Sequence, residues 1–301
     1  MGWWHPALAT ICVCVAGCRS HATPAPAAEP EPEREAGAAP APAGPPNAVG
    51  LPSSVVAAVV NPMNLKPYSG PTGSIAGTVL VRGPEAPPVP NLEVQACPGA
   101  LDTYGKLFRA GPLRSDGARP LADALVLVTG YGGYVPEKNE VQRVVIGTNC
   151  GYPSRSIALT FGQRLDIAND STLPFAPYLE GAPGLTVMIA PPQQRGEPVK
   201  IFPVRADFFP LRDQLQKFVH VDVYVLRQPL HAVTDLQGHF RIDGVPAGRV
   251  RVSARLGGLL GEVDEDVNVR ADAPQTVELS LKYAPAGAAS PLRPATARPS
   301  P

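Results

Sequence analysis

The chain has 301 residues, with 26 Lys+Arg set against 26 Asp+Glu and a formal net charge of zero. That length holds one large or two smaller domains, and a neutral chain without a basic patch excludes nucleic acid as a partner. Its 38 prolines crowd the ends and the loops, and no amphipathic stretch of convincing helical length stands between them.

The first element is the apolar run 7–16. It is too short to span a bilayer but long enough for the core of a signal peptide. It ends in Val15-Ala16-Gly17-Cys18, which resembles the bacterial lipobox, although residues 1–6 lack the usual Lys or Arg. The resemblance implies a signal peptide over 1–17 and a diacylglycerol on Cys18. It also implies a place in the bacterial cell envelope, with the membrane as a partner through that anchor. Arg19 after the cysteine favours the outer membrane.

Residues 18–72 form a linker and lead-in, rich in Pro, Ala and Glu as far as residue 46. Such a composition cannot bury enough apolar surface to offset its ordering entropy. It therefore reads as a disordered, extended spacer. The tail 284–301 repeats it.

Between these ends the strand signals recur. They fall at 74–81, 124–129, 141–146, 156–160, 164–168, 199–203, 217–226, 263–269 and 275–281. The run 124–129 is apolar throughout, which suits a strand covered on both faces. Short strands separated by Gly and Pro turns predict an all-β fold of sandwich type. Cys12 and Cys14 fall within the signal segment, which leaves Cys97 and Cys150. In an oxidising compartment an even count favours their pairing as a disulfide over two buried thiols.

Three motifs resemble the carboxypeptidase regulatory-like domain, a transthyretin-like β-sandwich. They are Gly73-Ser74-Ile75-Ala76-Gly77-Thr78-Val79, Ala124-Leu125-Val126-Leu127-Val128, and the hairpin from Val233 to Gly248 with its Thr234-Asp235 and Val245-Pro246. In that family the hairpin follows the second motif closely. Here 131–227 intervenes, so 73–130 plus 228–283 is expected to form one sandwich carrying an insert. The insert resembles a cupredoxin unit through Cys97, Cys150-Gly151-Tyr152-Pro153, the strand 162–167 and Asn169-Asp170. Copper in such a unit needs two imidazoles, a thiolate and a thioether. The corresponding positions carry Phe175, Asp213, Gln216 and Val219. The expectation is therefore a degenerate unit with no metal and no cofactor.

The apolar residues near that end, Phe175, Pro177, Tyr178, Phe208 and Phe209, are the candidate contact face. Other candidates weigh less. His231, His239 and Asp235 would make a non-copper metal site only if they converged. His220 and Asp222 share a strand face. Tyr131-Gly132-Gly133-Tyr134 reads as a capped turn before it reads as a sugar platform, and the acidic run 262–266 as a solvated strand start before a calcium site. No hydrolase, metalloprotease or nucleotide-binding motif appears. The function expected is a non-catalytic binding or scaffolding lipoprotein whose partner is an envelope protein or glycan. The alternatives are a cupredoxin-related metal-handling or redox protein of the periplasm, and a carbohydrate-binding module.

Overall fold

Period-two burial, the signature of a half-covered strand, marks residues 143–146, 208–213, 239–243 and 276–282 of the computed structural model. The structure describes residues 50–183, 188–257, 260–271 and 273–285. Cys18, the signal segment, the linker up to residue 49 and the tail from residue 286 lie outside the described residues. The elements begin with helix α1 (Ser53–Val60), strand β1 (Thr72–Arg82), helix α2 (Leu101–Tyr104), β2 (Ala118–Pro120), β3 (Leu125–Thr129) and β4 (Val141–Ile146). Next come β5 (Ser156–Thr160), β6 (Arg164–Asn169), β7 (Pro177–Leu179), β8 (Val199–Ile201), β9 (Phe208–Asp213) and β10 (Val221–Leu226). The chain closes with β11 (His231–Val233), β12 (His239–Pro246), β13 (Gly248–Leu256), β14 (Leu260–Val269) and β15 (Pro274–Lys282).

The class is all-β, and one sandwich interrupts another. In the first, β1 lies between β12 and β15 with β2 along its end, and this sheet faces the order β11-β3-β13-β14. Ile75, Val79, Val126, Val128, Ile242, Val250, Val252 and Leu279 fill the space between. Strand β12 shows the cause: Phe240 and Ile242 point in, while His239, Arg241 and Asp243 stay in solvent. The turn before β12 is set by Asp235. Its Oδ1 accepts the backbone N–H groups of Gln237 at 2.9 Å and His239 at 2.8 Å. Gly238 follows at φ +74°, where a Cβ would lie 2.5 Å from the Val79 carbonyl oxygen. Only glycine fits that approach.

In the second sandwich the order β5-β10-β9-β7 faces β4-β6-β8. Its core holds Ile146, Leu159, Leu165, Ile167, Phe209, Leu211, Val221 and Val223. It also draws in Val94, Cys97, Ala100 and Tyr104, with Leu51, Val56, Val59 and Val60 packed on its margin. The sequence reading left 92–104 with the first sandwich and 51–60 with the linker. Both segments instead cover the insert, and α1 does so as a helix, which the reading of 18–72 as linker and lead-in did not foresee. The 160–163 turn accommodates that helix through Gly162 (φ +102°), whose Cβ would lie 2.6 Å from Val56 Cγ1.

The two sandwiches meet along a third apolar cluster. Leu125 and Leu127 of β3 and Val233 of β11 pack on Ala158 of β5 and on Tyr224 and Leu226 of β10. Strand β3 is thus covered on both faces, since Val126 and Val128 point the other way into the first core. That is the burial its unbroken apolar run demands.

Three strand readings changed. Residues 217–220 are not strand: Val219 donates to the Gln216 carbonyl oxygen at 3.1 Å, and the neighbours Phe218 and Val219 both turn into the second core. Strands β7 and β9 were not expected. Pro210 inside β9 argues against a central strand, yet β9 lies between β10 and β7. Pro210 turns its backbone toward β7, where its carbonyl accepts Glu180 N–H at 2.8 Å, and Asp222 opposite bonds Arg155 O at 2.7 Å, so the pairing with β10 asks no donor of the proline.

Candidate functional site

Two short segments, 174–176 and 213–219, build the end of the second sandwich. Asp213 at the end of β9 ties them together. One carboxylate oxygen accepts Ala176 N–H at 2.8 Å, and the other accepts Leu215 and Gln216 N–H at 2.9 and 2.8 Å. Gln216 Nε2 donates across to Pro174 O at 2.9 Å. The four positions singled out in the sequence thus share one end of the fold. Phe175 is fully buried and meets the Phe218 ring edge-on, centroids 6.4 Å apart. Val219 is 1% exposed. Phenylalanine and valine offer no donor to a metal, and the Asp213 oxygens are taken by backbone N–H groups. Burial pushes the Asp213 carboxyl up, against those three N–H groups that pull it down. Close by, a disulfide joins Cys97 to Cys150, with Cα atoms 6.3 Å apart.

The expected contact face does not exist as a patch. Phe175, Pro177 and Phe209 are buried, and Tyr178 is half-buried. Only Phe208 stands open, at 44% exposure. Phe208 and Phe209 are neighbours on β9, so the pleat sends them to opposite faces. Phe175 is held inward because it exchanges backbone hydrogen bonds with Ala190 at 3.2 and 2.8 Å.

The histidine-based metal reading also separates. His239 lies 3.8 Å from Asp235 on the surface. His231, half-buried on β11, turns instead to Thr160, Nε2 to Oγ1 3.3 Å. Among the described residues no group of three His, Cys, Asp or Glu side chains is placed to hold a metal. The acidic run on β14 is met by arginines, with Asp266 2.6 Å from Arg249 and Asp264 3.3 Å from Arg251. Tyr131 donates its hydroxyl to Gln228 Oε1 at 3.3 Å, and Tyr134 accepts Tyr68 N–H at 2.7 Å. Both tyrosines therefore serve the turn.

What the structure offers is a cleft of about 640 Å³ along the join between the sandwiches. Its walls include Glu137, Lys138, Gln142, Arg143, Gln163 and His231. Thr160 Oγ1 donates to Glu137 Oε2 at 2.7 Å. A hydroxyl has one proton, so His231 reaches Thr160 as the donor, through Nε2–H. Glu137 Oε1 accepts the N–H groups of Lys138 and Asn139, each at 2.9 Å. Gln163 braces the floor, accepting Thr160 N–H at 2.6 Å and donating to Asn139 O at 2.9 Å. Burial lowers the His231 pKa below its usual 6.5, and Glu137 opposes that shift.

A smaller cavity of about 210 Å³ lies on another side of the join, between Leu107, Phe108, Arg155, Arg212, His220 and Asp222. Burial raises the Asp222 pKa, while Arg155 and Arg212 oppose the rise. Asp123 closes its inner wall, in a left-handed backbone conformation at φ 65°. It accepts Arg109 Nε at 2.8 Å, Ser154 Oγ at 2.7 Å and Arg155 N–H at 2.8 Å. Sequence reasoning missed this hub. Its partners lie far apart in the chain, and no motif surrounds them.

No protein-family model matches the chain, and no curated protein matches it either. Among solved structures, the chain is similar to the reduced state of an amicyanin point mutant at 15% identity and TM-score 0.25, covering 28% of this chain and 79% of that one. It is similar to a second reduced mutant at 14% identity and TM-score 0.25, covering 30% and 85%. Amicyanin from Paracoccus versutus gives 14% identity and TM-score 0.24, covering 30% and 84%. The likeness spans under a third of this chain and says nothing of what the chain binds.

Proposed function

We propose that this chain is a non-catalytic binding or scaffolding protein of the bacterial envelope, lipid-anchored through Cys18 to the outer membrane, whose cleft along the join receives an envelope protein or glycan. The Glu137–Thr160–His231 relay carries the reading. Glu137 and His231 line a cleft of ligand size, and each group already has a partner within the chain. The threonine hydroxyl is 2% exposed and tied between the glutamate and the histidine, so it is held away from a bound ligand. Such walls hold a ligand without transforming it. The closed end of the second sandwich supports the same reading against metal handling, since its four positions are Phe175, Val219, an Asp213 whose oxygens are occupied, and Gln216, a weak neutral ligand whose amide is tied to Pro174 O.

A photo-crosslinking residue placed at Gln142, on the cleft wall, tests the site. The expected result is one discrete adduct from intact cells, identified by mass spectrometry. The same residue at Glu262, on β14, should give none. Equal labelling from both positions would reject the cleft. The anchor is tested separately by the intact mass of the membrane-extracted protein. Mature protein without lipid on Cys18 would end that part of the proposal.

A further inference from the structure

At a margin of the join, where β13 of the first sandwich meets the face of β9 and β10 turned away from the second core, a concavity of about 370 Å³ is lined by Ala206, Asp207, Phe208, Tyr224, Arg227 and Arg255, among others. It shares no lining residue with the cleft. The Tyr224 ring is its base. Arg255 lies over that ring, 5.4 Å from guanidinium carbon to centroid. Phe208 packs against the same ring at 5.4 Å and keeps 44% of its surface open. The Tyr224 hydroxyl accepts Gly257 N–H at 3.1 Å, so the ring is fixed in place. Burial pushes its pKa up to about 12.

The two arginines are unlike their neighbour. Arg205 donates to Asp207 at 2.9 Å, and Asp207 also takes Phe208 N–H at 2.8 Å, so the local carboxylate is engaged. Arg227 and Arg255 have no ion pair and no side-chain hydrogen bond among the described residues. Arg255 Nε is moreover enclosed and meets no acceptor there. That enclosed atom is out of a ligand's reach, so a ligand would meet the two guanidiniums through their terminal nitrogens, whose planar fork suits an oxyanion. A bare anion would leave Phe208 uncovered, and a purely apolar ligand would leave Arg227 and Arg255 without a counter-charge. A ring that carries a carboxylate satisfies both at once.

We propose that this concavity binds an acidic sugar, a pyranose ring lying against Phe208 with its carboxylate held by Arg255 and Arg227. This would be a second binding site, separate from the cleft, so it stands whether or not the cleft has a partner.

The test is calorimetric titration of the full-length protein with trigalacturonate, with the corresponding neutral galactose trimer, and with inorganic phosphate. The expected result is binding of trigalacturonate that weakens with salt and exceeds both the neutral trimer and phosphate by about tenfold or more. Arg255→Gln, Arg227→Gln and Phe208→Ser should each weaken it by roughly fivefold or more. Gln237→Ala, on the exposed Asp235 turn, should leave it unchanged. Arg227 is exposed, so its variant stays informative if Arg255→Gln fails to fold. No binding of trigalacturonate, equal affinity for the neutral trimer, phosphate binding as tightly, or full affinity in Arg227→Gln would each overturn the proposal.

Discussion

Arg109 Nε lies 2.8 Å from Asp123 Oδ2, and both members of this pair reach on to the segment that leads into β5. Arg109 also donates to Pro153 O at 3.0 Å, and Asp123 accepts from Ser154 and Arg155. The pair therefore clamps the 153–155 loop, which leads into β5 of the second sandwich, against the first sandwich. Both side chains are largely buried. Removing one partner leaves the other charge buried and uncompensated. Asp123→Ala should cost about 3–5 kcal/mol in urea-induced unfolding. Asp123→Asn should cost less, because the amide oxygen still accepts. A loss below about 1 kcal/mol for the alanine variant, the range of an exposed pair, would show that the clamp is dispensable.

Phe175 gives a packing prediction. It fills the end of the second core against Phe218, so Phe175→Ala should destabilise by roughly 3–5 kcal/mol, mostly through the cavity it leaves. The check is a thermal melt of the variant beside Tyr178→Ser. Tyr178 is half-buried, so its variant should melt near the parent. Equal, small shifts in both would mean that the end is not packed as described.

The bridge between Cys97 and Cys150 closes a loop with a sequence separation of 53. By loop-closure entropy its contribution is about 4 kcal/mol. Denatured, unreduced protein should offer neither thiol to a labelling reagent, and reduction should lower the melting temperature without loss of the β signal in circular dichroism at low temperature. Quantitative labelling of both cysteines without reductant would refute the bridge.

Two titrating groups pull stability in opposite directions. The folded-state pKa of His231 is depressed by burial, so the unfolded chain binds the proton more tightly. Its contribution is complete above about 6.5 and is lost as pH falls from there through the lower folded value. For Asp222 the folded pKa is raised by burial. Its contribution is present below the unfolded value of 3.8 and is lost as pH rises through the folded one. Melting temperature against pH should therefore fall less steeply from pH 7 to pH 5 in His231→Gln than in the parent. Asp222→Asn should gain on the parent at pH 7 and lose that gain below pH 3.8. Parallel curves for all three proteins would contradict both assignments.

Alternation made the strands legible. The runs at β4, β5 and β6 carry their hydrophobic pattern openly, and the Asp235 turn is written in its own residues. Strand β9 was hidden by Pro210, whose missing donor matters only where the ladder asks for one, and here its backbone faces away from β10. Helix α1 was hidden by its place in a proline-rich lead-in, where short Val and Ala runs give little sign of the surface that receives them. The contact face failed for another reason. Composition shows that Phe175, Phe208 and Phe209 are apolar, but the pleat and the Ala190 pairing decide which of them meet solvent. The Asp123 hub and the Arg227–Arg255 pair draw on residues distant in the chain, so no local pattern announces them.

Strand β1 pairs in parallel with β15, from Ser74 beside Pro274 to Arg82 beside Lys282, and on its other side with β12. This fixes an order of events during synthesis. Everything the second core needs, including the borrowed segments 51–60 and 92–104, has left the ribosome once Leu226 is out. The first sandwich must wait for Lys282. Until then β1 keeps its β15-facing edge open, carrying Ile75, Val79 and Val81, and such an edge invites pairing with other chains. The inserted sandwich is therefore the earlier folding unit, and the protein's most vulnerable moment falls between the completion of its middle and the arrival of its last strand.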